Sequence, residues 1–589
     1  MAVSEALPGG AIAPDTKGQN FFSDDRALAE IASLYLDDQV LRAITPYLEE
    51  LGYRVANDLD ELAMAANRHP PVLHQRDKYG TDRQWIEYHP SYRALEQAAF
   101  GDYGIHALSH RPVIEELGKP LPTLAKHLYT FLFNQTEFGL GCPINVTDSA
   151  AHVISKFGSP DLKRKYLPRM LAMDMKELWQ GAQFITEQEG GSDVGRTSTT
   201  ASRRDGEWYL TGDKWFCSNA DADIAMILAR PTGAQEGTRG LALFAMPRVL
   251  DDGSVNRIRI VRLKDKFGTR SMASGELRLE GALAYPVGQL GSGFKQMAEM
   301  INRSRLSNGV KSAALMRRAL HDAFTVAHHR SAFGKPLIEL PLARRQLLKI
   351  QLSAEQALSM WAFAAAQLQL AESNDSGANA ARSVARLATP VLKLRSTRDA
   401  RAVCGDAMEF RGGCGYIEEY VNPRLVRDAY LGSIWEGTTN IVAIDAVRRA
   451  IGKDRCLEAY VATLHERLDT CDAAVPVHVQ DLRQWLDRVG ETAQRVADEN
   501  DESRFRVIAT ALYHVSSAVL LAWEGLQIAS LSGDASRLLW SKLVLEHKLN
   551  RPGYLDPIQR QHEIHDALLR QTSLGLNVAK QYLQISANP

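Results

Sequence analysis

The chain has 589 residues, of which 45% are hydrophobic and 24% charged, with a formal net charge of −1. Such a length allows several globular units with large cores, with no need of disulfides or structural metals. The near-neutral balance leaves no global field toward nucleic acid, anionic membranes or acidic substrates.

The six cysteines are irregularly spaced and form no CxxC pair, so they read as reduced, mostly buried thiols. The opening MAVSEALPGG has no apolar core with basic flanks, and no uninterrupted apolar run of about 18 residues occurs. The expectation is a cytoplasmic chain with no membrane-spanning segment.

In chain order, residues 1–23 read as a Gly/Pro/Ala-rich arm. Residues 24–182 follow a helical period, with Leu121–Phe138 and the segment from Asp161 as clear cases. Period-two patterning then predicts a β domain over 183–290. Trp208–Leu210 and Lys214–Phe216 read as strands joined by a Gly212-Asp213 turn. Asp223–Arg230, Gly240–Pro247, Arg257–Arg262 and Glu276–Glu280 are the other strands. Long helices are predicted over Lys295–Arg330, Pro341–Ala371 and Ser383–Cys404, with a further one over Asn440–Ile451, giving a bundle at 291–451. Residues 452–589 read as an appended helical domain, broken near Asp498–Asp501. The fold class is mostly α with a central, barrel-like β domain.

Four motifs could carry chemistry. The first, from Phe184 to Asp193, pairs Gly190 with Gly191 and offers the hydroxyls of Thr186 and Ser192. It is either a plain polar loop or a loop that lets backbone approach a flat ligand. The second, Lys214–Asn219, is two core aromatics and a turn, or an aromatic wall with Ser218 reaching a ring nitrogen. The third, Arg330–Gly334, ends a long helix. Its arginine complements the helix dipole or forks onto a pyrophosphate. The fourth is Arg411–Tyr416, followed by Ser433–Ile441 with Glu436 before Gly437; a lone Glu there is ordinarily a solvated loop residue.

Together these motifs resemble the acyl-CoA dehydrogenase family from about Leu121 to Arg449. The stretches CPINVTDSA, TEQEGGSD, RLKDKFGTRS, RSAFGKPLIELPL, IWEGTTNI and NRHPPVLHQRDKYG look like its AidB branch, the alkylation-response flavoproteins. The resemblance implies an N-terminal helical domain, a β-barrel-like middle domain, a C-terminal four-helix bundle and an extra helical domain. It also implies FAD bound without a Rossmann GxGxxG, and none is present. By resemblance Gln183, Ile185, Thr186 and Ser192 line the flavin, and Phe216 and Ser218 sit at its ring. Arg330, Phe333, Gly412 and Gly413 meet the FAD of a neighbouring subunit. Thr438 and Asn440 close the site, and Ser192, Arg305 and Gly437 face the acyl-CoA.

The implied reaction is α,β-dehydrogenation of an acyl-CoA thioester, with Glu436 removing the α-proton. Some family members carry the base just before an arginine of the bundle helix. That place is Ser304 here, which leaves Glu436. The chain departs from the family in having Pro341 where a glutamine often contacts FAD, and Phe216 in place of the usual tryptophan. Implied partners are an electron-transferring flavoprotein and three further copies of the chain, as a homotetramer. Two other functions compete. An AidB-like DNA-protective role needs a basic face, yet beyond Ile451 acids slightly outnumber Lys plus Arg. An acyl-CoA oxidase would also carry a helical extension. The pairs His106/His110 and His562/His565 lack a third ligand, so no metal is expected. His328 and His329 read as helix-end cations.

Overall fold

The computed structural model describes residues 12–550 and 561–584. The chain divides into two compact units. One joins Asp58–Pro122 to Thr136–Ser307. The other joins the N-terminal stretch to Asn57, the segment Thr123–Gln135 and the chain from Asn308 onward.

The first unit is built on a closed β ring. Its strands are β3 (Gly181–Phe184), β4 (Thr200–Arg204), β5 (Glu207–Ser218), β6 (Ile224–Pro231), β7 (Ala242–Pro247), β8 (Ile258–Leu263) and β9 (Ser274–Pro286). They follow a hairpin of β1 (Val72–Arg76) and β2 (Asp82–Glu87). Pairing runs β6–β4–β5–β9–β7 and returns to β6, with β3 added parallel to β6 and β8 antiparallel to β9. Leu210, Ile227, Phe244, Met246, Leu277 and Leu279 fill the interior. Two expectations are corrected here. The β1–β2 hairpin interrupts the segment read as all helical, because its mostly exposed strands are charged and polar and carry no apolar alternation. The Gly212-Asp213 turn does not exist: β5 runs straight through, with a register shift against β9 at Leu210/Thr211. Gly212 is there for close approach, since a Cβ would stand 2.8 Å from the Thr199 Cα.

The second unit is helical. Its long helices are Gly293–His329 (from Asn308 onward), Pro341–Ala371, Ala378–Arg411 and Phe505–Leu531. Thr123–Phe133 packs among them with every residue buried. A buried ionic chain ties the parts together. Arg317 donates to Asp25 (2.5 Å) and to Glu355 (2.6 Å), and Arg537 donates to Glu355 (2.9 Å) and Glu524 (3.0 Å). Asp25 also caps the helix Arg26–Tyr35, so one carboxylate orders both local and tertiary structure. The arm lies on its own chain where it is described: the carbonyls of Ala13 and Pro14 accept from Arg411. Residues 1–11 lie outside the described residues. The helix Phe505–Leu531 is apolar and long enough to cross a membrane by length and composition, but most of that stretch is buried inside the structure.

Candidate active site

In the barrel unit the first motif is anchored by one carboxylate. Glu187, 4% exposed, accepts from the Ser198 and Thr199 hydroxyls (2.7 and 2.6 Å) and from Lys214 Nζ at 2.6 Å. Burial alone would raise its carboxyl, but the Lys214 charge and these hydrogen bonds hold it down at about 2. Lys214 is fully buried on β5, so the pair pins the loop after β3 to the barrel wall. The Thr186 carbonyl accepts from Trp215 N at 2.9 Å and adds a second tie.

Around that anchor the candidate residues face outward. Gln183 Oε1, at the end of β3, is buried without a hydrogen-bond partner among the described residues. Ile185 and Thr186 are half-buried, and Ser192 is exposed beyond Gly190 and Gly191. Phe216 is 59% exposed, an unusual state for a ring on a barrel strand. The Ser218 hydroxyl has only a long contact, 3.3 Å, to Ser274 Oγ. Lys264 Nζ lies over both rings of the strand, 3.4 Å from the Trp215 centroid and 4.7 Å from that of Phe216, which keeps its exposed remainder toward solvent. Arg305 is buried, and its neighbour Ser304 accepts from Asn145 Nδ2 at 2.9 Å. Ser304 thus serves helix packing.

The helical unit carries the acid. Helix Asn422–Gly432 ends at Gly432, where a Cβ would stand 3.0 Å from Ser312 Oγ. The chain then turns through Glu436 (φ 51°) and Gly437 (φ 97°) into the helix Thr439–Ile444. A left-handed glutamate is strained, and such strain concentrates at functional sites. Asn308 Nδ2 holds the turn from below, donating to Glu436 Oε2 (3.1 Å) and to the Gly432 carbonyl (2.9 Å). Lys393, fully buried, donates to the Gly437 carbonyl, and Lys311 lies 4.5 Å from the Trp435 ring. Thr438 and Asn440 are exposed, and Thr439 is buried beneath them.

The third motif is more than a helix end. The chain leaves the helix at His329 and forms a hairpin of β10 (Ser331–Ala332) and β11 (Lys335–Pro336). Its two turn residues, Phe333 and Gly334, both have positive φ (52° and 76°). Phe333 at the first turn position is disfavoured, yet its ring is 96% exposed. Arg330 is exposed at the hairpin base. Gly412 and Gly413 form another open turn, with nothing within 4 Å of where a Cβ would stand at either. Of the paired histidines, His110 contacts Asp148 and His106 the Ala172 carbonyl, while the His562 side chain lies outside the described residues. Burial pushes His106 down to about 3; at the helix end burial and then the His329 charge lower His328, whose ring stacks on Phe324.

Residues 12–175 match the Adaptive response protein AidB N-terminal domain, 182–282 the acyl-CoA dehydrogenase middle domain and 291–452 its C-terminal domain. The chain is 34% identical over 437 residues to the putative acyl-CoA dehydrogenase AidB of Escherichia coli, covering 71% of this chain and 78% of that one. It is 30% identical over 537 residues to acyl-CoA dehydrogenase family member 11 of Caenorhabditis elegans, covering 88% and 86%. The chain belongs to the acyl-CoA dehydrogenase family. The crystal structure of Caenorhabditis elegans ACDH-11 in complex with C11-CoA superposes with a TM-score of 0.80 at 28% identity, over 92% of this chain and 93% of that one.

Acyl-CoA dehydrogenases are FAD-type oxidoreductases, and this chain's residues fit that cofactor. Gln183 offers a buried acceptor with no donor among the described residues, Phe216 a largely exposed ring, and Ser218 a hydroxyl with only a long contact. Gly412 and Gly413 leave space for close approach. Sequence reasoning missed Asn308, Lys311 and Lys393. All three fall on the buried face of long amphipathic helices, and polar residues at such positions were the available signal.

Proposed function

We propose that the chain is an FAD-dependent dehydrogenase of acyl-CoA thioesters, with Glu436 as the base that removes the α-proton. The observation that carries this is the strained Glu436-Gly437 turn, held by Asn308 on one side and Lys393 on the other. Gln183, Ile185, Thr186, Ser192, Phe216, Ser218, Thr438 and Asn440 are the proposed flavin-binding residues. When bound, FAD supplies the hydride acceptor. Glu436 takes the proton on its carboxylate, with Asn308 fixing which way that carboxylate points. The backbone N–H of Glu436 is the group this chain can offer to a thioester oxygen as negative charge develops there. Arg305, Gly437 and Ser192 are the proposed contacts to the rest of the substrate. That a relative was solved with C11-CoA supports a thioester of this class.

We infer a homotetramer, because the exposed Phe333 tip, Arg330 and the open Gly412-Gly413 turn suit a flavin completed by a neighbouring copy. The proposed acceptor is an electron-transferring flavoprotein. Anaerobic mixing with a panel of acyl-CoAs tests the reading: flavin absorbance should bleach with at least one of them. Rapid recovery on admitting oxygen would make the protein an oxidase. No bleaching with any thioester would refute the dehydrogenase altogether.

Asn308 gives a sharper test of the turn. Asn308→Leu removes one charge-assisted hydrogen bond, worth about 1.5–3 kcal/mol, so bleaching should slow by roughly 10- to 100-fold. Binding of a CoA ligand should stay within about twofold, since the contact is to the base and not to the substrate. Stopped-flow rates beside a binding titration separate the two. A variant that bleaches at the wild-type rate would remove Asn308 from the mechanism.

A further inference from the structure

Three arginines near the base-bearing turn have no ion-pair partner among the described residues. Arg398 and Arg401 lie three residues apart, on one face of the helix Ala378–Arg411. Arg506 projects from the first turn of Phe505–Leu531, in the appended helical region. Among the described residues none of the three has a carboxylate within ion-pair distance. The nearest acid in sequence, Asp399, is taken through both oxygens by Arg395. Neighbouring Arg448 is spoken for by Glu502 at 2.6 Å.

The arginines reach both ends of the Ser433–Asn440 segment. Arg401 Nη1 contacts Ser433 Oγ at 3.5 Å, and its guanidinium lies 4.1 Å from the Tyr430 ring centroid. Arg506 Nη1 contacts Asn440 Oδ1 at 3.4 Å. Between them Ile434, Thr438 and Asn440 are exposed, so this face is open to a ligand. Burial first, then the charges of Arg506, Arg401 and Arg395, holds the Arg398 guanidinium below its ordinary value. A single exposed arginine needs no partner. Two half-buried ones set beside a third repel each other, and that cost persists where an anion is bound.

We propose that Arg398, Arg401 and Arg506 form an anion site shared by the bundle and the appended helical domain, and that it takes a phosphate of a nucleotide bound at the Ser433–Asn440 segment. Guanidinium forks match phosphate oxygens, and a pyrophosphate can engage more than one. The proposal rests on the FAD and acyl-CoA reading above, in which two ligands carry such phosphates: the flavin pyrophosphate and the phosphates of CoA. It gives the appended domain a part in ligand binding through Arg506.

The test uses the full chain, freed of flavin, as wild type and as the double variant Arg398→Gln/Arg506→Gln. Arg401 is kept because of its stacking on Tyr430. FAD, riboflavin and CoA are titrated separately at two salt concentrations. The expected result is about tenfold or greater weakening of FAD or of CoA, shrinking as salt rises, with riboflavin unaffected. Weakening of FAD assigns the site to the flavin, and weakening of CoA assigns it to the substrate. The flavin-free variant should melt at the wild-type temperature or above it, because a repulsion has been removed. Nucleotide constants within about twofold of wild type, equal loss of riboflavin binding, or a lowered melting temperature would each overturn the site. So would a variant that loses salt-sensitive binding of a DNA duplex while keeping both nucleotides. A wild-type chain that takes up neither FAD nor CoA would overturn the functional reading itself, whereas unchanged constants in a flavin-binding protein overturn only this site.

Discussion

Glu436→Gln is expected to slow flavin bleaching by an acyl-CoA by about 10²–10⁴-fold, the range ordinarily supplied by a positioned general base. Glutamine keeps the size of the side chain and can still accept from Asn308, so the turn should survive. What it loses is the ability to carry the proton away. FAD content and the affinity for a CoA ligand should therefore stay near wild type, and the defect should lie in the chemical step alone. Glu436→Asp separates basicity from reach. It keeps a carboxylate but withdraws it by one methylene from the hydrogen bond to Asn308, and should fall between wild type and glutamine. Anaerobic single-turnover mixing gives both rates without interference from the electron acceptor. A glutamine variant that bleaches as fast as the wild type would end the assignment. Failure of both variants to hold FAD would instead show that the acid is structural.

The large divisions of the fold were legible because they depend on period. The helix Pro341–Ala371 lies where its 3.6-residue pattern put it, and the strand Ile224–Pro231 falls within one residue of its predicted bounds. Period failed where a residue serves geometry instead of burial. Gly212 reads as a turn, since glycine usually marks one, yet it sits mid-strand because Thr199 leaves no room for a Cβ. The β1–β2 hairpin was invisible for a related reason: its strands are mostly exposed and carry no apolar alternation. The candidate site was proposed only from an ordered set of motifs. No single piece marked Glu436 as unusual. Its left-handed backbone and the Asn308 contact are tertiary facts that bring together residues 128 positions apart. The Arg398, Arg401 and Arg506 cluster was hidden in the same way. Counting charges beyond Ile451 diluted Arg506 among acids, while its companions belong to the bundle helix.

The largest stability effect is expected at Glu187. Glu187→Gln leaves the Lys214 ammonium fully buried with the Leu228 carbonyl, 3.0 Å away, as its remaining original acceptor among the described residues. Removing one member of a buried pair costs about 3–5 kcal/mol, mostly from the stranded charge. The melting temperature of Glu187→Gln should fall by several degrees. The double variant Glu187→Gln/Lys214→Met should recover much of that loss, because no unpaired charge remains. The pH dependence follows from the same pair. The Glu187 carboxyl is held at about 2 in the fold, below its ordinary value of 4.5. Its contribution is therefore complete above pH 4.5 and is lost as pH falls from there toward 2. Over that window the wild type should lose stability more steeply than the double variant. Flavin binding should follow, since Glu187 also fixes Ser198 and Thr199 and with them the loop that carries Thr186 and Ser192. Thermal melts of the three proteins across that acid range decide the matter. If the single variant melts with the wild type, the pair contributes nothing, and the order of the loop must come from elsewhere in the barrel.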